Sequence, residues 1–333
     1  MRNAMDQLAL VVTRIRSLNP WVRELVLRAA DGATLPGFTA GAHIRVQVEA
    51  AGASDWRDYS LIDTKDGEDG SPSSYRIAVR RDDTGRGGSR YMHEQVQEGD
   101  VVQVQTPKND FPLHDHAGAA VLLAGGIGVT PLVSMAARLR AQARPLRMHY
   151  AVRDTDSLAY QDELSALLGD DLQMHVDQHA GGPLDVAAIL SRCAAHEQVY
   201  VCGPKPMLDA VLARAAQLGW PPERVHFELF APPVVQQGDQ VFEVELAQSG
   251  QRFEVPTDRS ILDVLIDAGC DPMFDCKRGE CGVCAVPVIE GEIDHRDYVL
   301  TASERAAGNV MQVCVSRAKG RRLVRSEEHT SEL

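Results

Sequence analysis

Apolar and polar residues alternate in short runs through the first third of the chain, as in HIRVQV (43–48), YRIAV (75–79) and VVQVQ (101–105), with Gly, Pro and Asp between them. A period of two places one face of each strand in a core, so residues 1–113 predict an antiparallel β-barrel or sandwich. From about residue 119 the rhythm changes to apolar runs followed by helical stretches. AAVLLA precedes PLVSMAARLRAQA, LRMHYAV precedes SLAYQDELSALL, LQMHVD precedes LDVAAILSRC, QVYVCG precedes PMLDAVLARAAQLG, and RVHFELF closes the series. This alternation predicts an α/β domain over 117–230, a five-stranded parallel sheet with helices on both faces. APPVVQQGDQ (231–240) has two prolines and no period, and reads as a linker. Beyond it, VFEVELAQSGQRFEVP predicts a hairpin turning at Ser249 and Gly250, and SILDVLIDAG a helix capped by Ser260 and ended at Gly269. Residues 241–324 thus form a small α+β domain.

Composition narrows the function. The chain has 333 residues, 44% hydrophobic and 24% charged, which is ordinary for globular domains. Its 34 Lys and Arg against 47 Asp and Glu give a net charge of -13 with no basic stripe, so nucleic acid is not an expected partner. The stretch MRNAMDQLALVVTRIRS breaks its apolar residues with Asp6, Gln7, Arg14 and Arg16 and does not read as a signal peptide. AAVLLAGGIGV is too short and Gly-rich to span a bilayer. A cytoplasmic protein is expected, and there the seven cysteines (193, 202, 270, 276, 281, 284, 314) point to metal binding or catalysis rather than disulfides.

DCKRGECGVC (275–284) concentrates the chemistry. Cys276, Cys281 and Cys284 have the spacing CxxxxCxxC, with Cys314 thirty residues on in a strand-like VMQVCVS. This is the plant-type 2Fe-2S spacing. Zinc is the rival, although structural zinc sites usually use two separated CxxC pairs. Gly279 and Gly282 are expected to free space for backbone N–H groups near the sulfurs. Cys270 falls outside the pattern.

Four weaker motifs lie upstream. LLAGGIGVTP (122–131) sets Gly125, Gly126 and Gly128 between a strand and a helix expected to be capped by Thr130 with Pro131 first, where a pyrophosphate or merely a tight turn fits. YVCGPKPML (200–208) ends a strand of the same sheet and leaves room for a planar ring near Cys202, or is a plain strand-to-helix turn. In RDYS (57–60), Tyr59 suits a flavin ring face, Ser60 its N5 edge and Arg57 a phosphate; the alternative is an exposed strand end. GRGGS (85–89) suits a phosphate nest or a flexible hairpin loop. His114 and His116 in LHDHAG read as an exposed interdomain loop rather than a metal site.

In chain order, RDYS, GRGGS, GGIGVTP, YVCGPKPM and CxxxxCxxC with its distant cysteine resemble the phthalate dioxygenase reductase and vanillate demethylase reductase family, over residues 5–324. The resemblance implies a ferredoxin-reductase-type flavin barrel, an NAD domain and a β-grasp-like plant-type ferredoxin. It implies that Arg57, Tyr59 and Ser60 hold the flavin, that Ile77, Ala78 and Val79 line it, and that Gly87, Gly88 and Ser89 take the FMN phosphate. Thr130 would lie beside the ring, Gly125, Gly126 and Gly128 by the pyrophosphate, and Cys202, Gly203 and Pro204 by the nicotinamide, with Glu228 an acidic group near the flavin. Ser60, Cys202 and Glu228 are the residues expected nearest the reacting atoms, and Cys276, Cys281, Cys284 and Cys314 the cluster ligands.

FMN is the implied flavin, with FAD the alternative, and NADH the implied donor. In YAVRDTDSLAY, Arg153 would attract a 2'-phosphate and Asp154 repel it. A nicotinamide gives two electrons together and a 2Fe-2S centre takes one, so a flavin must stand between them. The expected activity is NADH-dependent transfer through FMN and the cluster to a separate terminal oxygenase, of Rieske type on an aromatic compound, by a monomer. A haem monooxygenase as acceptor and a redox-sensing regulator are the rival readings. RSEEHTSEL (325–333) matches no ferredoxin strand and is expected to be a non-native tail that shortens the strand near RRLV.

Overall fold

The computed structural model describes residues 7–50, 52–62, 72–116, 118–230 and 235–327. They fall into two compact units, divided between Phe230 and Ala231.

The first unit opens with six strands: β1 (Gln7–Asn19), β2 (Val22–Ala29), β3 (His43–Ala50), β4 (Ala53–Ser60), β5 (Tyr75–Arg80) and β6 (Val101–Gln105). All pair antiparallel, in the order β4-β3-β6-β1-β2-β5. The sheet curls until its edge strands β4 and β5 approach, and the inward residues of every strand, among them Val12, Leu25, Ile44, Ile77 and Val104, fill one core. Helix α1 (Gly88–Glu94) covers one opening with Met92 inside. GRGGS is half bend and half helix: Gly85, Arg86 and Gly87, the last at φ 94°, turn the chain, and Gly88 and Ser89 begin the first helical turn.

The same unit continues into a parallel sheet of β7 (Ala120–Gly125), β8 (Leu146–Val152), β9 (Leu172–Val176), β10 (Gln198–Cys202) and β11 (Val225–Glu228), ordered β11-β10-β7-β8-β9. The central strand β7 is buried at every position, as its unbroken apolar run requires. Helices α2 (Val129–Ala141), α3 (Gln161–Leu168), α4 (Asp177–Ala180), α5 (Val186–Ser191) and α6 (Lys205–Gln217) connect the strands. Helix α2 starts earlier than expected: a short 3-10 turn over Gly126–Gly128 leads into it at Val129. Thr130 lies inside the first turn, where its hydroxyl donates to Ile127 O at 3.0 Å and caps nothing.

Barrel and parallel sheet are joined by polar contacts that no local pattern announces. Ser134 of α2 donates to Leu61 O just past β4 (2.7 Å), and Asn19 Nδ2 to Leu158 O (3.0 Å). Tyr160, held at φ 59°, donates its hydroxyl to the buried Glu24 of β2 at 2.8 Å. Arg76 of β5 lies 3.6 Å from Glu24 and 2.6 Å from Glu163.

The segment read as an exposed loop does expose His114 and Asp115, and its histidine rings also pack on the parallel sheet. His114 lies 4.4 Å, ring centre to ring centre, from His226, which stacks on Tyr200 at 4.6 Å, and His116 covers Tyr200. Tyr200 Oη accepts from His114 N at 3.0 Å, so burial of one tyrosine draws the loop in.

In the second unit, β12 (Phe242–Leu246) and β13 (Arg252–Val255) form the expected hairpin, with Gly250 at φ 69°. Helix α7 (Ile261–Asp267) follows, its first turn capped by Ser260 Oγ accepting from Asp263 N. Then come β14 (Ala285–Glu290), β15 (Ile293–Asp294), α8 (Ala302–Ala307), β16 (Val310–Gln312), β17 (Arg317–Ala318) and β18 (Arg322–Arg325). The mixed sheet runs β13-β12-β18-β14-β16, with β18 parallel to β12 at its centre. Arg325, read as tail, is the last residue of that central strand and pairs with Leu246 and Val288; Leu323 packs in the core with Ile261, Leu262 and Leu265 of α7, and Val324 is buried on the opposite face. Residues 328–333 of the expected tail and 231–234 of the expected linker lie outside the described residues. The rest of the linker is a turn: Asp239 N donates to Gln236 O and its carboxylate pairs with Arg296.

The histidine stack generates a pH prediction. Burial, reinforced by His114 and His116, pushes His226 down to about 4, and burial lowers His116 as well. Both are neutral in the fold, so their stabilisation is complete above about pH 6.5 and is lost as pH falls toward 4. The thermal midpoint of the first unit should drop between pH 7 and pH 5, and drop less in His226→Phe, which keeps the stack. Equal drops would remove His226 from this role.

Candidate functional site

Four elements deliver the upstream motifs to one region. Strand β4 ends in Arg57, Tyr59 and the buried Ser60. Gly88 lies against the Arg57 side chain: a Cβ there would stand 2.9 Å from Arg57 Nε. RDYS and GRGGS, about thirty residues apart, thus meet, and a side chain at Gly88 would displace the Arg57 side chain. Arg57 Nη1 pairs with Asp55 and donates to Trp56 O, while Nη2 is buried with no partner among the described residues. Ser60 Oγ is likewise buried and unpartnered. Leaving such groups unsatisfied costs about 1–3 kcal/mol each, which a ligand with polar atoms at this place would offset. Ser89 is otherwise engaged, its hydroxyl accepting from Asp82 N at 3.0 Å.

Strand β5 shows which atoms of Ile77, Ala78 and Val79 are available to line a ligand. Ile77 and Val79 point into the barrel core, and only Ala78 faces the parallel-sheet lobe, as alternation on a strand dictates. Since β5 is an edge strand, what Ile77 and Val79 can offer a ligand is backbone.

At the carboxyl end of the parallel sheet the two glycine loops interlock. A Cβ on Gly128 would meet Cys202 O at 2.2 Å, one on Gly125 would meet Pro204 Cδ at 2.6 Å, and one on Gly203 would meet Gly125 Cα at 3.0 Å. Register places Cys202 between Ala124 on β7 and Glu228 on β11. Cys202, Glu228 and Thr130 are all buried there. Open α/β sheets bind ligands at this end, and the Ser134 hydrogen bond ties it to the Ser60 segment. The end of β4 and the glycine loops of the parallel sheet are thus tied together through Ser134 and Leu61. The Glu24–Tyr160 bond that fixes the lobes escaped sequence reasoning, because its residues are far apart in the chain.

The cysteine loop occupies the second unit between α7 and β14. Lys277 at φ 56°, Gly279 at φ 75° and Gly282 at φ 77° reverse the backbone repeatedly, so the chain encircles the sulfurs. The glycines have a second reason besides the one expected. A Cβ on Gly279 would lie 2.8 Å from Val315 Cγ2 and 3.1 Å from Asp297 Cα. Asp297 is buried, and its Oδ2 accepts from Val299 N (3.2 Å) and Leu300 N (2.8 Å). Tyr298 N donates to Gly279 O at 2.9 Å, so this acidic turn braces the loop. Cys314 lies in the turn after β16 rather than in a strand, because only there does its sulfur reach the loop.

The sulfurs fall into two pairs. Cys284 and Cys314 are 3.2 Å apart, and Cys276 is hydrogen-bonded to Cys281. The hydrogen bond from Cys281, with backbone N–H groups of Arg278, Glu280 and Cys281, holds the Cys276 thiol down at about 5 against the opposing effect of burial. Cys314 lowers Cys284 in the same way. Two thiolates on one ion with tetrahedral bonds of about 2.3 Å lie roughly 3.7 Å apart, close to the spacing of Cys284 and Cys314. Among the described residues no three Cys, His, Asp or Glu gather around a point that would hold one ion. Two pairs fit a binuclear cluster with two thiolates per iron, whereas structural zinc needs four donors on one centre. Cys276, Cys284 and Cys314 are buried and Cys281 is exposed. Cys193 and Cys270 lie outside this group, each partly buried.

Known proteins agree with this geometry. The family of 2Fe-2S iron-sulfur cluster binding domains matches residues 244–319, and that of the N-terminal domain of DmmA-like dimethylamine monooxygenase subunits matches 103–225. Tetrachlorobenzoquinone reductase of Sphingobium chlorophenolicum is 39% identical over 97% of this chain and 99% of its own. Vanillate O-demethylase oxidoreductase of Acinetobacter baylyi is 34% identical over 96% of this chain and 99% of its own. The solved structure of phthalate dioxygenase reductase, described as modular for electron transfer from pyridine nucleotides to 2Fe-2S, superposes with a TM-score of 0.72 at 38% identity, covering 96% of this chain and 98% of that one. The chain belongs to the phthalate dioxygenase reductase family, oxidoreductases that join flavin and NAD(H) binding to a 2Fe-2S ferredoxin domain as reductase components of oxygenase systems.

Proposed function

We propose that this chain oxidises NADH and passes the electrons through FMN and a 2Fe-2S cluster to a terminal oxygenase of Rieske type acting on an aromatic acid or ether. The observation that carries the reading is the presence, in one polypeptide, of the paired-cysteine loop and of a nucleotide-type sheet end beside unsatisfied Arg57 and Ser60. The flavin would supply conversion of a two-electron hydride into single electrons.

Each residue's task follows from its position. Arg57 Nη2 would donate to the FMN phosphate, with Gly88 leaving space for it. Ser60 Oγ would donate to the ring edge, and Tyr59, partly buried against the barrel core, would lie along its face. Gly126, whose Cβ position is open, would admit the dinucleotide pyrophosphate, with Gly125 and Gly128 seating the loop against Pro204 and Cys202. Cys202, Gly203 and Pro204 would bound the nicotinamide, with Glu228 and Thr130 excluding water. Asp154, whose carboxylate accepts from Ser157 Oγ at 2.7 Å just after β8, favours NADH because its charge repels a 2'-phosphate. The same reading makes the chain a cytoplasmic monomer with reduced thiols; all seven cysteines are free, and no helix among the described residues is long and apolar enough to cross a membrane.

Two substitutions test the path. Arg57→Gln removes a charged hydrogen bond and should weaken FMN binding about tenfold or more, measured by titrating the apoprotein; unchanged affinity takes Arg57 out of the site. Cys281→Ser should abolish NADH-driven reduction of cytochrome c while ferricyanide reduction, which needs only the flavin, continues. Equal survival of both activities would show that electrons do not leave through the cluster.

A further inference from the structure

Three of the four cluster cysteines are buried, at 7% for Cys276, 2% for Cys284 and 4% for Cys314, and Cys281 alone meets solvent. Next to it stand two exposed apolar side chains, Val283 at 39% and Val299 at 38%. They belong to one rim: the space a Cβ on Gly282 would take is closed by Val299 Cγ1 at 3.3 Å, so Val299 lies over the peptide joining Cys281 to Val283. The rim is rigid, because Val299 N is tied to the buried Asp297 carboxylate and Tyr298 N to Gly279 O.

Charges around the rim are paired within the domain. Lys277 lies 3.1 Å from Asp263, Arg278 lies 3.0 Å from Glu280, and Arg305 lies 3.5 Å from Asp297. An apolar centre with charged groups neutralised at its margin is the make-up of an interface core rather than of an ionic landing site. Electron tunnelling weakens steeply with distance, so an acceptor must press against the ligand that has least protein in front of it.

We propose that Val283 and Val299, framing Cys281, form the docking surface for a protein one-electron acceptor whose own metal centre is ringed by apolar residues. This rests on the electron path proposed above and adds the chemistry by which the acceptor is recognised: burial of an apolar rim, not charge pairing. The chain's net charge of -13 then affects only the rate of encounter.

The test uses the full-length, cluster-loaded protein and cytochrome c as acceptor in about 1 M NaCl, where the Debye length is about 3 Å and steering is screened. Val299→Glu and Val283→Glu should each raise KM for cytochrome c about tenfold, the value of one buried valine, and Val299→Ile should behave as the unmodified protein. NADH-driven bleaching of the cluster and ferricyanide reduction should keep their rates in all three variants, which also shows that the cluster is intact. An unchanged KM in both Glu variants overturns the proposal. Slowed bleaching overturns it too, by assigning the rim to transfer within the chain. Failure of the unmodified protein to reduce ferricyanide would instead sink the electron path itself.

Discussion

Everything in the second unit answers to one constraint: four thiolates must be brought together as two close pairs, although three come from a ten-residue loop and the fourth from far along the chain. Backbone that turns so often must enter the left-handed region, which explains Gly279 and Gly282 and the unusual Lys277. A loop of that kind has little regular hydrogen bonding of its own, so support comes from outside. Asp297 accepts two backbone N–H groups, Tyr298 bonds the loop at Gly279, and β18 at the centre of the sheet fixes β14, which carries the chain away from Cys284. Within each sulfur pair one thiol, Cys276 or Cys284, is held toward the thiolate by the hydrogen bond from its partner, while Cys281 and Cys314 are pushed up by the same bond and by burial.

The first unit solves a different problem, holding two ligand sites on two sheets at a fixed separation. Apolar packing joins Val22, Ile62 and Ala78 of the barrel to the core of the parallel sheet, and the Tyr160–Glu24 and Ser134–Leu61 bonds add direction to that contact. Tyr160 adopts a conformation that few non-glycine residues accept, a strain its buried hydroxyl bond offsets. The glycines of the two nucleotide loops serve the same end, since Gly128 and Gly203 let adjacent strand ends touch backbone to backbone.

Much of this was legible in the sequence because it is periodic or local. Alternation marked the barrel strands, apolar runs the buried parallel strands, and spacing the four cysteines that the fold brings together. What escaped depends on distant contacts. His114 is exposed as expected, and what the sequence hid is the stack that it and His116 make with Tyr200 and His226 of other strands. GRGGS looked like a loop because Gly-rich segments seldom start helices, and only α1 with Met92 in the barrel core overrides that preference. Arg325 looked like tail because charge hid a strand whose burial is set by Leu323 and Val324. The pairing of the cysteines cannot be read from spacing at all, since it depends on where the turn after β16 returns.

The central claim is that the four cysteines hold a binuclear iron-sulfur centre. Iron, zinc and acid-labile sulfide determined on the purified protein, with electron paramagnetic resonance after reduction, test it most directly. The account predicts iron and sulfide in equal amounts, no stoichiometric zinc, and a one-electron 2Fe-2S signal that appears with NADH and flavin present. One zinc per chain, with no labile sulfide, would contradict it.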